Sequence, residues 1–371
     1  MPPAIARSLA LLPALLLAAC GLAGQQGRPE AALDRLRLPP GFAIAEFARV
    51  PGARSLLVAE DGARIYVATR DSAVFAILDP ERDGSANQVM TVASGLKVPN
   101  GLALAPDGAL LIAEQHRIIR LDGERRGRIV VPAGVLPDRD QHGWRYAGLG
   151  PDGKLYVAVG APCDICAVRS LEGTIVRLRP DGHQLEVFAR GVRNSLGFDW
   201  HPLTGELFFT DNGSDHQGDL NPADELNRAP APGLHFGFPY VYGDGLPYPQ
   251  FAAQDPPQRT TPPALAFDAN GAALGIDFYT GSMFPEDYRN DALVAQHGSG
   301  ERSQPIGYRV MRVRFGESGL PRRAEVFIDG WLGADGSVTG RPVDLEELPD
   351  GSLLISDDHA GVVYRITYEP Q

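Results

Sequence analysis

Apolar residues in this chain occur in short runs that alternate with polar positions and end in tight turns. The recurring unit is an apolar run, a turn rich in Asp, Pro and Gly, and a second apolar run that ends in small or acidic residues. Turns of this kind between β-rich runs are a strong hairpin signal. The unit occurs six times, as SLLVAEDGARIYVATRD (55–71), GLALAPDGALLIAEQ (101–115), AGLGPDGKLYVAVGA (147–161), LGFDWHPLTGELFFTDNG (196–213), LGIDFYTGSMFPEDYRNDALVAQHG (274–298) and VDLEELPDGSLLISDD (343–358).

The spacing of these hairpins indicates the fold. The turn glycines Gly62, Gly108, Gly153 and Gly205 lie 46, 45 and 52 residues apart. A period of about forty to fifty residues with several strands per unit is typical of a β-propeller blade. The chain therefore predicts an all-β fold, a six-bladed β-propeller over residues 38–371.

Two further segments fit this architecture. The early run Phe42–Val50 and the late run 361–368 are both β-rich, and we expect them to pair and close the ring, since closure protects strand edges. Residues 229–263 are rich in Pro, Gly and aromatic side chains, and we expect them to form a long loop over one face.

The N-terminus has the features of an export signal. Arg7 precedes an apolar stretch, Leu9 to Ala19, which is short for a membrane span and is followed by Cys20. We predict a lipoprotein signal peptide at 1–19, a lipidated Cys20 and a polar tether at 20–37; an ordinary secretory signal is the alternative. Either interpretation predicts export, with membrane contact only through the lipid anchor on the periplasmic side.

Composition and cysteine content restrict the chemistry. The 371 residues carry a formal charge of −12 and a pI of about 5.1, which makes nucleic-acid binding an unfavourable interpretation. Cys163 and Cys166 lie in the sequence PCDIC. Ala167 stands where a c-type haem site needs His, and no further zinc ligands lie nearby. We predict a local disulfide, with a redox-active pair as the alternative.

The stretch GVRNSLGFDWHPLTGELFFTDNGSDHQGDLNPADELN (191–227) is the richest in polar chemistry. It opens with Arg193 and Asn194, and its acidic loop contains many oxygen ligands. A guanidinium and a carboxamide suit an anionic ligand, and an acidic loop suits a hard cation. Together they predict a site that holds an anion and a cation side by side.

Several segments together resemble a known family. They are His142-Gly-Trp, GLGPDGKLYVAVGA, GVRNSLGFDWHPLTGELFFTDNG, PADELN, ALVAQHGSGER and GRPVDLEELPDGSLLISDD. In order and spacing they are similar to the soluble pyrroloquinoline quinone (PQQ)-dependent sugar dehydrogenases, in particular the glucose/L-sorbosone dehydrogenase group. The resemblance covers nearly all of the mature chain. It implies a six-bladed propeller that binds PQQ and calcium over its axial opening, oxidises a small sugar or sugar aldehyde, and passes electrons to a periplasmic acceptor.

The resemblance also implies roles for particular residues. His142 precedes the third hairpin, where the family places its general base, and imidazole suits that role. Arg193 and Asn194 match the cofactor pair. The carbonyls of Gly213 and Ser214 occupy the place of the cofactor calcium ligands, and the pair Asp224 and Glu225 matches that of a structural calcium.

The later blades depart from the family pattern. The family lysine of the fifth blade is absent, and Arg302 is the nearest cation, with His297 in the same loop. Arg341 matches the first arginine of an R-x-R pair, but Val343 stands at the second position. The aromatic residues Tyr240, Tyr242, Trp144 and Trp331 could flank a sugar or could serve blade packing.

These departures leave two other functions open. A calcium-dependent lactonase would need carboxylate and amide ligands around one axial ion, without quinone. A binding propeller would keep the architecture and lose the chemistry, since fold alone does not establish function.

Overall fold

The computed structural model describes residues 33–370 apart from 80, 82, 83, 85, 87, 124–126, 216, 221, 300 and 301. The predicted signal peptide, 1–19, and the predicted lipidation site Cys20 lie outside the described residues. The described part has no helix long and apolar enough to cross a membrane.

The chain folds into a six-bladed β-propeller, as predicted. Each blade is built on an antiparallel sheet of four strands, with the first strand nearest the axis, and blade 3 has a short fifth strand in addition. Blades 1 to 3 comprise Ala53–Val58, Arg64–Thr69, Val74–Leu78 and Gln88–Ala93; Gly101–Leu104, Leu110–Ala113, Ile118–Leu121 and Arg128–Val131; and Ala147–Leu149, Leu155–Val159, Thr174–Leu178 and Glu186–Arg190. Blades 4 to 6 comprise Phe198–Trp200, Leu207–Asp211, Ala223–Ala229 and Leu265–Ala269; Ala273–Phe278, Ala292–Gln296, Arg309–Phe315 and Pro321–Ile328; and Pro342–Glu347, Leu353–Asp357, Val362–Tyr368 and Phe42–Arg49.

All six predicted hairpins are the inner strand pairs of the six blades. Glycine is required at the turns of the regular ones, because Gly62, Gly108, Gly153 and Gly205 have φ between 67° and 80°, a left-handed conformation that other residues rarely adopt. These turns lie on one face of the disc. The opposite face, called here the upper face, carries the loops between second and third strands and the connections between blades.

The ring closes as predicted. The strand Phe42–Arg49 pairs antiparallel with Val362–Tyr368 and so becomes the outer strand of blade 6. Because the first and last strands share one sheet, unfolding of either terminus opens the ring.

Residues 229–263 are more ordered than the predicted loop. Leu234–His235 adds a parallel fifth strand to blade 3, Val241–Tyr242 pairs with Leu246–Pro247, and Pro249–Phe251 forms a 3-10 helix. An aromatic cluster explains this order, because Phe238, Tyr248 and Phe251 are buried together.

The folded body begins before the predicted boundary at residue 38. Leu33–Arg35 forms a 3-10 helix, and Leu33 and Leu36 pack on the cluster between blades 5 and 6. Arg37 exchanges backbone hydrogen bonds with Asp329 and forms an ion pair with it at 2.7 Å. The last five residues of the predicted tether are therefore part of the fold. A second 3-10 helix in this region, Glu286–Tyr288, precedes the second strand of blade 5.

Candidate functional site

A polar cleft of about 210 Å³ opens on the upper face. The structure brings five predicted residues to it, from connections and loops of three blades. Its lining comprises His142, Arg193, Asn194, Asn212, Gly213, Asp215, Asp224, Asn270, Ala272, Gly298 and Ser299.

His142 lies in the cleft as a neutral imidazole. Its Nδ1 lies 2.8 Å from the carbonyl oxygen of Ala161. Because a carbonyl only accepts, Nδ1 carries the hydrogen and Nε2 is left as the acceptor of the ring. Burial and the neighbouring Arg193 guanidinium lower the pKa of His142 to about 4. The ring is therefore uncharged at neutral pH and able to accept a proton.

The backbone around His142 is held by a buried arginine. His142 has φ of 50°, which is uncommon for a residue with a side chain. Arg145, which is 1% exposed, donates to the carbonyls of His142 at 2.9 Å and of Pro137 at 2.7 Å. A Cβ added to Gly160 would lie 2.5 Å from the Cβ of His142. Arg145 and Gly160 thus fix the position of the imidazole.

Arg193 and Asn194 are held from below by one carboxylate. Their backbone N–H groups donate to the two oxygens of Asp211 at 2.8 and 2.6 Å. Burial and the facing Glu225 raise the pKa of Asp211 to about 7. The side-chain Oδ1 of Asn194 is buried without a hydrogen-bond partner in the described structure. That orphaned atom is available for a ligand.

The guanidinium of Arg193 is already engaged with the protein. Nε donates to the carbonyl of Asp164 at 3.0 Å, Nη1 to the carbonyl of Asn212 at 3.1 Å, and Nη2 to the carboxylate of Asp164 at 2.6 Å. Only 4% of the side chain is exposed. Arg193 therefore belongs to the wall of the cleft, and a bound anion would share it with Asp164.

Gly213 and Asp224 meet at the cleft. The N–H of Gly213 donates to Asp224 Oδ1 at 3.0 Å, and a Cβ at Gly213 would lie 2.6 Å from the carbonyl of Pro222. Burial raises the pKa of Asp224 to about 6. Ser214 is fully buried behind them.

Asp224 and Glu225, predicted as a pair at a structural calcium, line different cavities. They are consecutive in the strand Ala223–Ala229, so their side chains leave on opposite faces. Glu225 faces Asp211 across the strand pair and lines a separate cavity of about 10 Å³. Burial raises the pKa of Glu225, and the buried Oδ1 of Asn227 on the same face has no partner in the described structure.

Arg302 does not lie where the prediction needs it. Its guanidinium donates to the carbonyls of Asp219 and Ala269 and so points toward the rim of blade 4, and Arg302 does not line the cleft. Arg341 lies closer, because it donates to the carbonyls of His297 at 3.0 Å and of Gly298 at 2.7 Å, and Gly298 lines the cleft.

An apolar floor lies at the upper end of the axis. Leu196, Leu274 and Val343 are buried together, and Trp144 packs against them. Val343 therefore belongs to this floor rather than leaving a gap in a ring of cations. The guanidinium of Arg54 stacks over Trp144 with 4.2 Å between its central carbon and the ring centre.

Sequence reasoning missed Arg54 and its partner Asp358. Arg54 donates to Asp358 at 2.7 Å, and His297 Nε2 lies 2.9 Å from the other oxygen of that carboxylate. Burial, opposed by Asp358, lowers the pKa of His297 to about 4. The position of Arg54 along the chain was the available signal. Arg54 lies at the start of the first strand of blade 1, and Arg193 lies in the connection that leads to the first strand of blade 4.

The predicted disulfide and the four aromatic residues are also located. The structure joins Cys163 to Cys166. Trp331 is 1% exposed in the core between blades 5 and 6, and Tyr240 and Tyr242 pack on the aromatic cluster of residues 229–263. Of the four, Trp144 borders the axial opening. In the described part of the chain, no three His, Cys, Asp or Glu side chains converge as a metal site.

Comparison with known proteins identifies relatives. The profile of the glucose/sorbosone dehydrogenase family matches residues 135–365. An uncharacterized protein of Borreliella burgdorferi is 37% identical over 240 residues, which are 63% of this chain and 63% of that protein. The chain thus matches less than two thirds of the length of this curated relative.

Solved structures share the fold. The calcium structure of a Trichoderma reesei carbohydrate-active enzyme of family AA12 has a TM-score of 0.77 and 19% identity, over 93% of this chain and 100% of that chain. The holo form of the PQQ domain of Coprinopsis cinerea pyranose dehydrogenase has a TM-score of 0.73 and 18% identity, over 90% and 97%.

Proposed function

Because the chain belongs to the glucose/sorbosone dehydrogenase family, we propose that it is a PQQ-dependent dehydrogenase that oxidises a sugar or sugar aldehyde. The observation that carries the proposal is the neutral His142 with a free ring acceptor in a polar cleft beside an apolar floor. The solved PQQ domain of pyranose dehydrogenase and the calcium structure of the AA12 enzyme support the choice of cofactors.

The residues present fit a planar, multiply charged quinone. The floor of Leu196, Leu274, Val343 and Trp144 is apolar, as a flat ring system requires. The guanidinium of Arg54 stacks on Trp144 of the floor, Arg193 lines the neighbouring cleft and Arg341 bonds the carbonyl of Gly298 at the cleft, so cations lie close to where the carboxylates would bind. We assign Arg193, Asn194 and Arg341 to cofactor binding, whereas the position of Arg302 does not support such a role.

Calcium fits two places. The backbone carbonyls of Gly213 and Ser214 and the carboxylate of Asp224 would hold the ion beside the cofactor, since Asp224 is buried and contacts the backbone of Gly213. Asp211 and Glu225 would hold a second, structural ion in the small cavity, where these two buried carboxylates face one another. A cation there would restore the ionised state that burial disfavours.

The chain supplies the proton chemistry of the reaction. When bound, PQQ provides the hydride acceptor. Nε2 of His142 accepts the proton of the substrate hydroxyl, and the Ala161 carbonyl holds the ring in the required tautomer. Arg145 keeps the backbone of His142 in place during this step. The neutral state of His142 above pH 4 means that the base is ready at neutral pH.

We further propose that the protein is exported and held on the periplasmic side of a bacterial membrane by a lipid on Cys20. The N-terminal sequence supports this, as does the disulfide, which favours an oxidising compartment. Electrons would pass to a periplasmic acceptor.

The test is calorimetric titration of the mature protein with PQQ, with and without calcium, followed by a dye-linked scan of sugars. We expect calcium-dependent binding. His142→Ala should keep that binding and lower turnover by about 10²- to 10⁴-fold, the usual contribution of a general base. The exposed His183 serves as control, and His183→Ala should behave as the unmodified protein. Full turnover in His142→Ala contradicts the assignment of the base.

Absence of PQQ binding at millimolar calcium contradicts the dehydrogenase proposal as a whole. Calcium-dependent lactone hydrolysis without quinone would then identify a lactonase. Sugar binding without turnover would identify a binding propeller.

A further inference from the structure

The disulfide loop, residues 163–166, reaches the wall of the cleft through Asp164. One oxygen of this carboxylate, Oδ1, accepts from Arg193 Nη2 at 2.6 Å and from the backbone N–H of Asp215 at 2.9 Å. The carbonyl of Asp164 accepts from Arg193 Nε at 3.0 Å, and Arg193 Nη1 donates to the carbonyl of Asn212 at 3.1 Å. One aspartate thus connects three separate segments of the upper face.

The loop that carries Asp164 is itself anchored at several points. Cys163 and Cys166 are bonded, with their Cα atoms 6.0 Å apart. Between them, Ile165 packs on the buried cluster of Ala161, Phe238, Tyr248 and Phe251. The disulfide and the packing of Ile165 therefore order the backbone of Asp164. The ion pair with Arg193 does not have to offset the conformational entropy that is lost when the loop becomes ordered.

The segment that receives these contacts contains the proposed cation ligands. Residues 212–215, called here the cation loop, include Gly213, which lines the cleft. Asp164 and Arg193 bond this loop at both ends, at Asn212 and at Asp215. Only 4% of the Arg193 side chain is exposed, so water has little access to its guanidinium. The hydrogen bond from Arg193 to the carbonyl of Asn212 is therefore hard to replace.

We propose that the disulfide loop is a positioning element for the cleft, in which Asp164 fixes the cation loop against Arg193. It follows that the order of the cation loop, and its affinity for calcium, depend on Asp164 and on the Cys163–Cys166 bond. The calcium part rests on the proposed function, whereas the order of the loop can be measured without any ligand.

The test compares Asp164→Ala, Asp164→Asn and the double variant Cys163→Ser/Cys166→Ser with the unmodified protein. Amide hydrogen exchange is followed by mass spectrometry in peptides that cover residues 208–215, and calcium binding by calorimetry. In Asp164→Ala we expect exchange to be at least about tenfold faster and calcium binding at least about tenfold weaker, the effect of losing hydrogen bonds to a charged group. The double variant should show the same changes.

Two comparisons separate positioning from a general loss of stability. Asp164→Asn keeps an acceptor oxygen and should recover most of the protection, and the urea midpoint of Asp164→Ala should remain close to that of Asp107→Asn, a variant in an exposed ion pair of blade 2. Unchanged exchange in Asp164→Ala and in the double variant would overturn the proposal. If the unmodified protein binds no calcium but exchange responds as expected, the positioning role stands and the calcium part of the proposed function fails.

Discussion

Asp344 is a buried acid at the axis, and it makes the free energy of unfolding decrease as the pH rises. It lies in the inner strand of blade 6 and is 1% exposed. Its carboxylate accepts from the N–H of Leu56 in blade 1 at 2.9 Å and from the hydroxyl of Tyr146 beside blade 3 at 3.4 Å. Burial raises the pKa of Asp344 from 3.8 to about 7, although these hydrogen bonds and Arg54 oppose the shift.

The magnitude follows from the size of the shift. A difference of about three pKa units corresponds to about 4 kcal/mol between the protonated and ionised states. The folded state holds the proton of Asp344 more tightly than the unfolded state does. The corresponding part of the free energy of unfolding is therefore fully present below about pH 4 and is lost as the pH rises through 7. The neighbouring acids Asp277 and Glu346 also have raised pKa values, through burial and then through repulsion by other axial carboxylates. They add to the loss in the same direction.

The perturbation is Asp344→Asn, which keeps the shape and a hydrogen-bond acceptor but has no charge to bury. Urea denaturation from pH 4.5 to pH 9 measures the free energy of unfolding. We expect the variant to match the unmodified protein at the acid end and to exceed it by up to about 4 kcal/mol above pH 8.

The control for this series is Asp107→Asn. Asp107 is exposed, and its hydrogen bond from Arg120 lowers its pKa, so that variant should gain nothing at high pH. A difference between Asp344→Asn and the unmodified protein that is the same at pH 5 and pH 9, or that favours the unmodified protein at pH 9, refutes the reasoning.

Two further predictions concern the support of His142. Arg145→Met removes buried donors from the carbonyls of His142 and Pro137, and urea denaturation should show a loss of about 2–4 kcal/mol, because buried acceptors lose charged partners. Gly160→Ala places a Cβ 2.5 Å from that of His142, which should lower stability by about 1–3 kcal/mol. In the reconstituted assay without urea, where both variants remain folded, turnover per folded molecule should also fall. Unchanged turnover under these conditions would contradict the positioning of the base.

The fold could be predicted from the sequence because its signals are local. Five of the six blades have a turn glycine with left-handed φ between two alternating runs, as at Gly108 and Gly153, and such signals need no knowledge of distant residues. Closure by Phe42–Arg49 followed from the need to cover an edge. The start at Leu33 could not be predicted in this way, because it depends on packing against blade 5, far away in the sequence.

The site was predictable only in part, for a related reason. The resemblance to the family implied His142, Arg193, Asn194 and Gly213, and the structure brings these four residues to the cleft. Arg302 was chosen as the nearest cation along the chain, yet the carbonyls of Asp219 and Ala269 hold it at the rim. Sequence distance does not show which partner a long side chain will find.

The partners of each arginine also show which guanidinium near the cleft can attract an anionic ligand most strongly. The charge of Arg193 is balanced by Asp164, and that of Arg54 by Asp358. In the described part of the chain, the side chain of Arg341 donates to the carbonyls of His297 and Gly298 and to no carboxylate. Neutral acceptors orient a guanidinium without cancelling its charge. Of these three arginines, Arg341 is therefore the one whose charge no carboxylate ion pair compensates in the described part of the chain, even though Val343 replaces the second arginine of the family pattern.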